Sequence, residues 1–236
     1  MKKILLLSIC AAMSFTAAAQ NKSMDNPDNK AYFGARLSID TSIPGNVKYT
    51  VGSMSFSSNV FGTAGGISIG GIYNIPVVAN LFIEPGIDLY YHTNAINVGN
   101  YMGDETMANK DFNNRSLRKF GMRIPVQIGY HFDLPSQTSI LIFTGPVLNV
   151  GFSNDYYITS REVDGVKWHE SGSMYDAMHR VNFSWRIGGG VTFLKNYYVS
   201  LSGDIGMLNM MKNDTDGLNV SMHENGFQLT LGYNFK

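Results

Sequence analysis

Eight stretches of this chain alternate apolar and polar side chains at period two, and the connections between them alternate long and short. The stretches cover residues 32–40, 63–74, 81–92, 117–130, 138–152, 181–193, 197–208 and 226–235. Period two places one set of side chains on each face of a β-strand. Each stretch runs roughly 9 to 15 residues, and a tilted strand needs about 9–11 to cross a bilayer. Residues 41–62, 93–116, 153–180 and 209–225 form long connections, whereas 75–80, 131–137 and 194–196 are short. In an antiparallel meander successive connections emerge at opposite rims. This rhythm therefore gathers long loops at one end and tight turns at the other, the layout of a membrane barrel.

The two faces agree with that layout. Residues 81–92 set Leu81, Ile83, Ile87, Leu89 and Tyr91 against Glu84, Gly86, Asp88, Tyr90 and His92. Residues 181–193 set Phe183, Trp185, Ile187, Val191 and Phe193 against Ser184, Arg186, Gly188, Gly190 and Thr192. The polar face is poor in Lys and rich in Gly, Ser, Arg and Asp, which suits a crowded interior better than a solvated surface. Aromatics end the apolar face at both rims: Tyr73, Tyr130, Phe132, Phe193, Tyr197 and Phe235 near the short turns, Tyr90, Tyr91 and Phe152 near the long loops. Such girdles mark membrane interfaces. A closed barrel also leaves no sheet edge unpaired in lipid. The closing row Phe227, Leu229, Leu231, Tyr233 and Phe235 is then expected to face lipid, and its near-terminal aromatic to be read by barrel-assembly machinery.

The first residues read as a leader. Lys2 and Lys3 precede an apolar run over residues 4–15, and Ala17, Ala18 and Ala19 supply a small-residue cleavage site. The run is shorter than the roughly 20 residues of a spanning helix, and Ile9 before Cys10 argues against lipidation. A cleaved signal peptide over 1–19, a periplasmic tail over 20–30 and a barrel domain over 31–236 are expected. Cys10 is the only cysteine, so the exported chain has no disulfide, thiolate metal site or cysteine nucleophile. Without Lys2 and Lys3, 16 basic and 18 acidic residues remain, a net charge near −2. No basic stripe for nucleic acid is present.

From about Ala31 onward the chain resembles the PorT-like outer membrane protein β-barrel family. The resemblance is carried by GMRIPVQIGYHF (121–132), IFTGPVLNVGF (142–152), WRIGGGVTFLKNYYVSLSGDIGMLN (185–209) and LGYNF (231–235). It implies an integral barrel in the outer membrane of a Gram-negative bacterium, and no shared catalytic residues.

Six charges fall on the polar face: Arg36, Glu84, Asp88, Arg123, Arg186 and Asp204. Eight strands leave room only for side chains, which favours an internal ion-pair network plugging the lumen over a transport path. Asp88 and His92 share a face, yet no serine on a strained elbow accompanies them, so no catalytic residue is assigned. The Gly188–Gly190 run lacks the Lys and helix of a phosphate loop. No pair of histidines has metal-ligand spacing, and neither metal nor cofactor is expected. An Asp-Gly turn within residues 161–168 reads as a hairpin extending the fifth and sixth strands. Residues 48–56 can do the same, which leaves ten strands as the alternative to eight. Tyr101, Tyr156, Tyr157 and Trp168 in the long loops are candidate binding aromatics.

These features predict an all-β, closed, up-and-down antiparallel transmembrane barrel of eight strands. Its expected role is a non-enzymatic scaffold presenting long extracellular loops for envelope integrity or for binding a ligand or protein, with outer-membrane lipid as its surroundings. The alternatives are a narrow porin, then a lipid-modifying enzyme; a soluble lipocalin-like carrier is the rival fold.

Overall fold

The computed structural model describes residues 30–78, 80–102, 112–134, 137–161, 167–212 and 217–236. The expected leader, all but the last residue of the tail and the Asp164-Gly165 turn lie outside the described residues. Within them are twelve strands: β1 (Tyr32–Pro44), β2 (Val47–Val51), β3 (Met54–Ser58), β4 (Ala64–Val78), β5 (Leu81–Ala95), β6 (Phe112–Leu134), β7 (Thr138–Ser160), β8 (His169–Ser173), β9 (Val181–Phe193), β10 (Tyr197–Gly206), β11 (Leu218–Ser221) and β12 (Glu224–Phe235).

Eight of them close a ring in the order β1, β4, β5, β6, β7, β9, β10, β12, each antiparallel to its neighbours. β12 returns to β1 along the whole strand, from Phe33 opposite Phe235 to Pro44 opposite Glu224. The barrel therefore has eight strands, not ten. The hairpin expected over residues 48–56 does form, as β2 and β3, but it joins β11 in a separate three-stranded sheet. Its apolar side chains Val47 and Tyr49 pack on other loops instead of facing lipid. β8 extends β7 alone, because a 3₁₀ turn at Met174–Asp176 separates it from β9.

Side chains alternate in and out along every barrel strand. Phe227, Leu229, Leu231, Tyr233 and Phe235 are exposed on the outer wall, while Gln228, Thr230 and Asn234 are buried inside. At the short-turn rim the outer aromatics form a chain of ring contacts: Phe193 on Tyr197 at 5.5 Å, Tyr197 on Tyr233 at 5.5 Å and Tyr233 on Phe235 at 5.2 Å. At the long-loop rim Phe120 meets Phe152 edge-on at 5.5 Å. Tyr90 faces inward with the polar row that alternation gave it, and not out with the girdle, and the Arg123 guanidinium lies 5.2 Å from its ring centroid.

β6 and β7, at 23 residues each, are much longer than a bilayer needs. They rise past the rim as a ribbon. Phe152 is an extra residue there, with Phe120 opposite Ser153 and Gly121 opposite Gly151. Such a bulge shifts which alternate side chains point inward. Even-numbered Ile140, Ile142 and Phe152 face out, whereas Asn154 and Ile158 are buried.

Candidate functional site

Inside the ring the chain builds a stack of layers, each positioned by strand register. Nearest the short turns is an apolar floor of Phe82, Leu141, Phe143 and Tyr198. Gly188 makes room for it, since a Cβ there would come within 2.5 Å of the Phe143 ring. The Arg36 guanidinium lies 4.0 Å above the Tyr198 ring. That contact couples the floor to the charged layer over it.

All six charges anticipated on the inner face do point inward. Arg36 faces Glu84 at 3.8 Å, and Asn74 donates to Glu84 at 3.1 Å. Arg186 forks onto Asp204 with Nε and Nη2 at 2.6 and 2.7 Å, the bidentate geometry that guanidinium favours. Arg123 stands opposite Asp88 in the β5–β6 register, yet its Nη2 donates to Asp40 at 2.5 Å. Asp88 makes no direct ion pair among the described residues and faces a void of about 30 Å³ with Arg36, Gln127 and Arg186.

Five further members, Asp40, Ser42, His92, Lys119 and Glu224, were not assigned to this network in the sequence. His92 Nε2 lies 3.3 Å from the same Asp40 oxygen. Lys119 Nζ donates to both Glu224 oxygens at 2.9 and 3.0 Å, and Ser42 also donates to Glu224. The signal for them was the alternation itself. Counting by twos from Arg36 reaches Asp40, from Arg123 back reaches Lys119, and from Gln228 back reaches Glu224.

Over the upper layer is a cavity of about 80 Å³, lined among others by Tyr90, Lys119, Arg123, Tyr175, Arg180 and Glu224. Above it the long loops converge on an apolar core. Val60 and Phe61 come from the first loop, Ile96 and Val98 from the second, Met174 and Met178 from the third, and Met210 and Met222 from the fourth. Backbone bonds tie neighbouring loops together: Asn97 N–H donates to Val60 O at 2.8 Å, and Lys212 N–H to Ala177 O at 2.9 Å. The β2–β11 pairing ties the first loop to the fourth. Tyr175 packs over Gly151, where any side chain would collide with its hydroxyl. Burial pushes the Tyr175 phenol up to about 12, so it remains a neutral donor.

The candidate loop aromatics are not brought together. Tyr156 is half-buried against the cap core and donates to Glu170 at 3.0 Å. Its neighbour Tyr157 necessarily points to the other side of the strand, where Arg118 lies 4.7 Å over its ring. Trp168 is exposed and meets Phe112 edge-on at 6.3 Å. The side chain of Tyr101 lies outside the described residues. Among those residues no group of three His, Cys, Asp or Glu is placed to hold a metal.

The model of the outer membrane protein beta-barrel domain family matches residues 6–235. Similar solved structures include Neisserial surface protein A (TM-score 0.40, 12% identity, 87% of this chain and 97% of that one). OprG from Pseudomonas aeruginosa gives a TM-score of 0.45 at 8% identity over 88% and 97%. Ail of Yersinia pestis gives 0.32 at 12% over 86% and 98%. No curated protein matches the chain.

Proposed function

This chain belongs to the outer membrane protein beta-barrel domain family, and from that premise we propose that it is a sealed, non-enzymatic scaffold holding a folded cap at the cell surface for binding. It is an integral barrel of the Gram-negative outer membrane. The observation that carries the sealed reading is the filled lumen: an apolar floor of Phe82, Leu141, Phe143 and Tyr198 under crossed ion pairs that reach from β1 to β6 and from β9 to β10. Eight-stranded barrels have room for little else. The surface that meets a partner is the cap, since the long loops carry most of the polypeptide beyond the lipid.

A PorT-like role within this family, supported by the 121–132, 142–152, 185–209 and 231–235 stretches, is part of the same reading. So are export through a cleaved leader over residues 1–19, a periplasmic tail over 20–30 and assembly through the closing strand.

Planar-bilayer recording tests the proposal. The purified barrel should insert and stay silent under applied voltage, and Arg123→Ala should stay silent too while unfolding more easily. Discrete conductance steps in the wild type, altered by Arg123→Ala, would replace the scaffold with a narrow channel.

A further inference from the structure

The 80 Å³ cavity between lumen and cap is lined by three cations, Lys119, Arg123 and Arg180, and by two carboxylates, Asp204 and Glu224. Its two carboxylates are already engaged: Glu224 takes Lys119 and Ser42, and Asp204 takes the Arg186 fork. The cations are engaged only in part. Arg123 is only 5% exposed, yet its Nε has no partner, because Asp40 engages Nη2 alone. The Arg180 guanidinium carbon lies 4.6 Å from the Tyr175 ring centroid, and Arg180 forms no ion pair among the described residues. Lys119 has three donors, of which Glu224 takes two.

A buried donor with no acceptor costs free energy that a matching ligand would recover. The space is adequate: one water needs about 10–15 Å³ in this measure, so the cavity holds on the order of five waters or one tetrahedral oxyanion with water. Lys119 and Arg123 line the cavity from β6, and Arg180 lines it from the residue before β9, across β7 from them. Cations from two sides suit a tetrahedral anion better than a planar carboxylate. Arg180 is exposed, so the site has a route to solvent. We propose that this cavity binds a phosphate-type oxyanion, free or as a lipid headgroup, through Arg180, Arg123 and Lys119.

The site goes beyond the scaffold reading, and its failure would leave the sealed lumen untouched. The test is the unfolding temperature of the detergent-folded barrel with inorganic phosphate against chloride at matched ionic strength. Arg180→Gln is compared with Lys195→Gln, which removes an exposed charge at the opposite rim. Phosphate should raise the unfolding temperature of wild type and Lys195→Gln, and Arg180→Gln should raise roughly tenfold the phosphate concentration needed for the same rise, as loss of one charge-assisted bond does. In phosphatidylcholine nanodiscs doped with phosphatidic acid, broadening of the headgroup ³¹P signal by wild type but not by Arg180→Gln would identify a lipid source. A response equal in chloride and phosphate, equally sensitive to both substitutions, or absent from both experiments would overturn the site.

Discussion

Barrel and cap are built from one chain with opposite polarity. In the barrel the apolar side chains face outward to lipid and the charged ones are sealed within: Leu229 and Ile187 lie outside, Arg186 and Asp40 inside. In the cap the order is that of a water-soluble domain, with Ile96, Leu117, Ile158 and Met178 inside and Lys48, Ser57 and Asp176 on the outer side. The same physics yields both arrangements, because apolar area leaves water for whichever medium is at hand. β7 makes the change within one strand, its phase shifted by the Phe152 bulge. The three-stranded sheet repeats it on a small scale. Its apolar face is covered at Val47, but Met54 and Phe56, 73% and 60% exposed, extend past the core.

Substitutions can break or sharpen this contrast. Arg123→Ala has the largest expected effect, since it strands the Asp40 carboxylate, which is 1% exposed and would keep only His92 beside it. Breaking a buried pair costs about 3–5 kcal/mol, so the urea midpoint of the heat-shifted gel band should fall markedly. Met178→Ala empties part of the cap core at about 2–5 kcal/mol. Its effect should be confined to the cap, with faster proteolysis of the loops and an unaltered barrel midpoint. If both regions weaken together, barrel and cap are one cooperative unit. Leu229→Arg, a charge on the lipid face, should cost about 2–4 kcal/mol, read in the same urea titration. Met54→Lys should have almost no effect, within about ±0.5 kcal/mol. A cost similar to that of Leu229→Arg would mean that Met54 is also covered in the membrane.

The barrel was legible because its signal is local. Period two within each strand fixes the facing of Glu84, Asp88, Arg123 and Arg186, and the alternation of loop lengths fixes the meander. Pairing within the lumen was less so, because Arg123 reaches across to Asp40 on β1 instead of its cross-strand neighbour Asp88. Of the cap only the 48–56 hairpin was legible, and not what it packs on. The cap core joins residues as distant as Val47 and Met222 through short strands and irregular loops, so no window of sequence carries its periodicity. The opposite facing of Tyr156 and Tyr157 has the same source, since the bulge at Phe152 fixes which of the two points inward.

Spin labels at the even-numbered positions of β7, from residue 140 to residue 158, test the inversion most directly. Collision with oxygen should be high from 140 to 152, then fall abruptly at 154 and 158, where the labels enter the cap. Accessibility to a water-soluble paramagnet should be low at both of those positions. Labels at 154 and 158 that collide freely with the aqueous reagent would show loops standing open in water, and the account of a folded cap on an inverted barrel would be wrong.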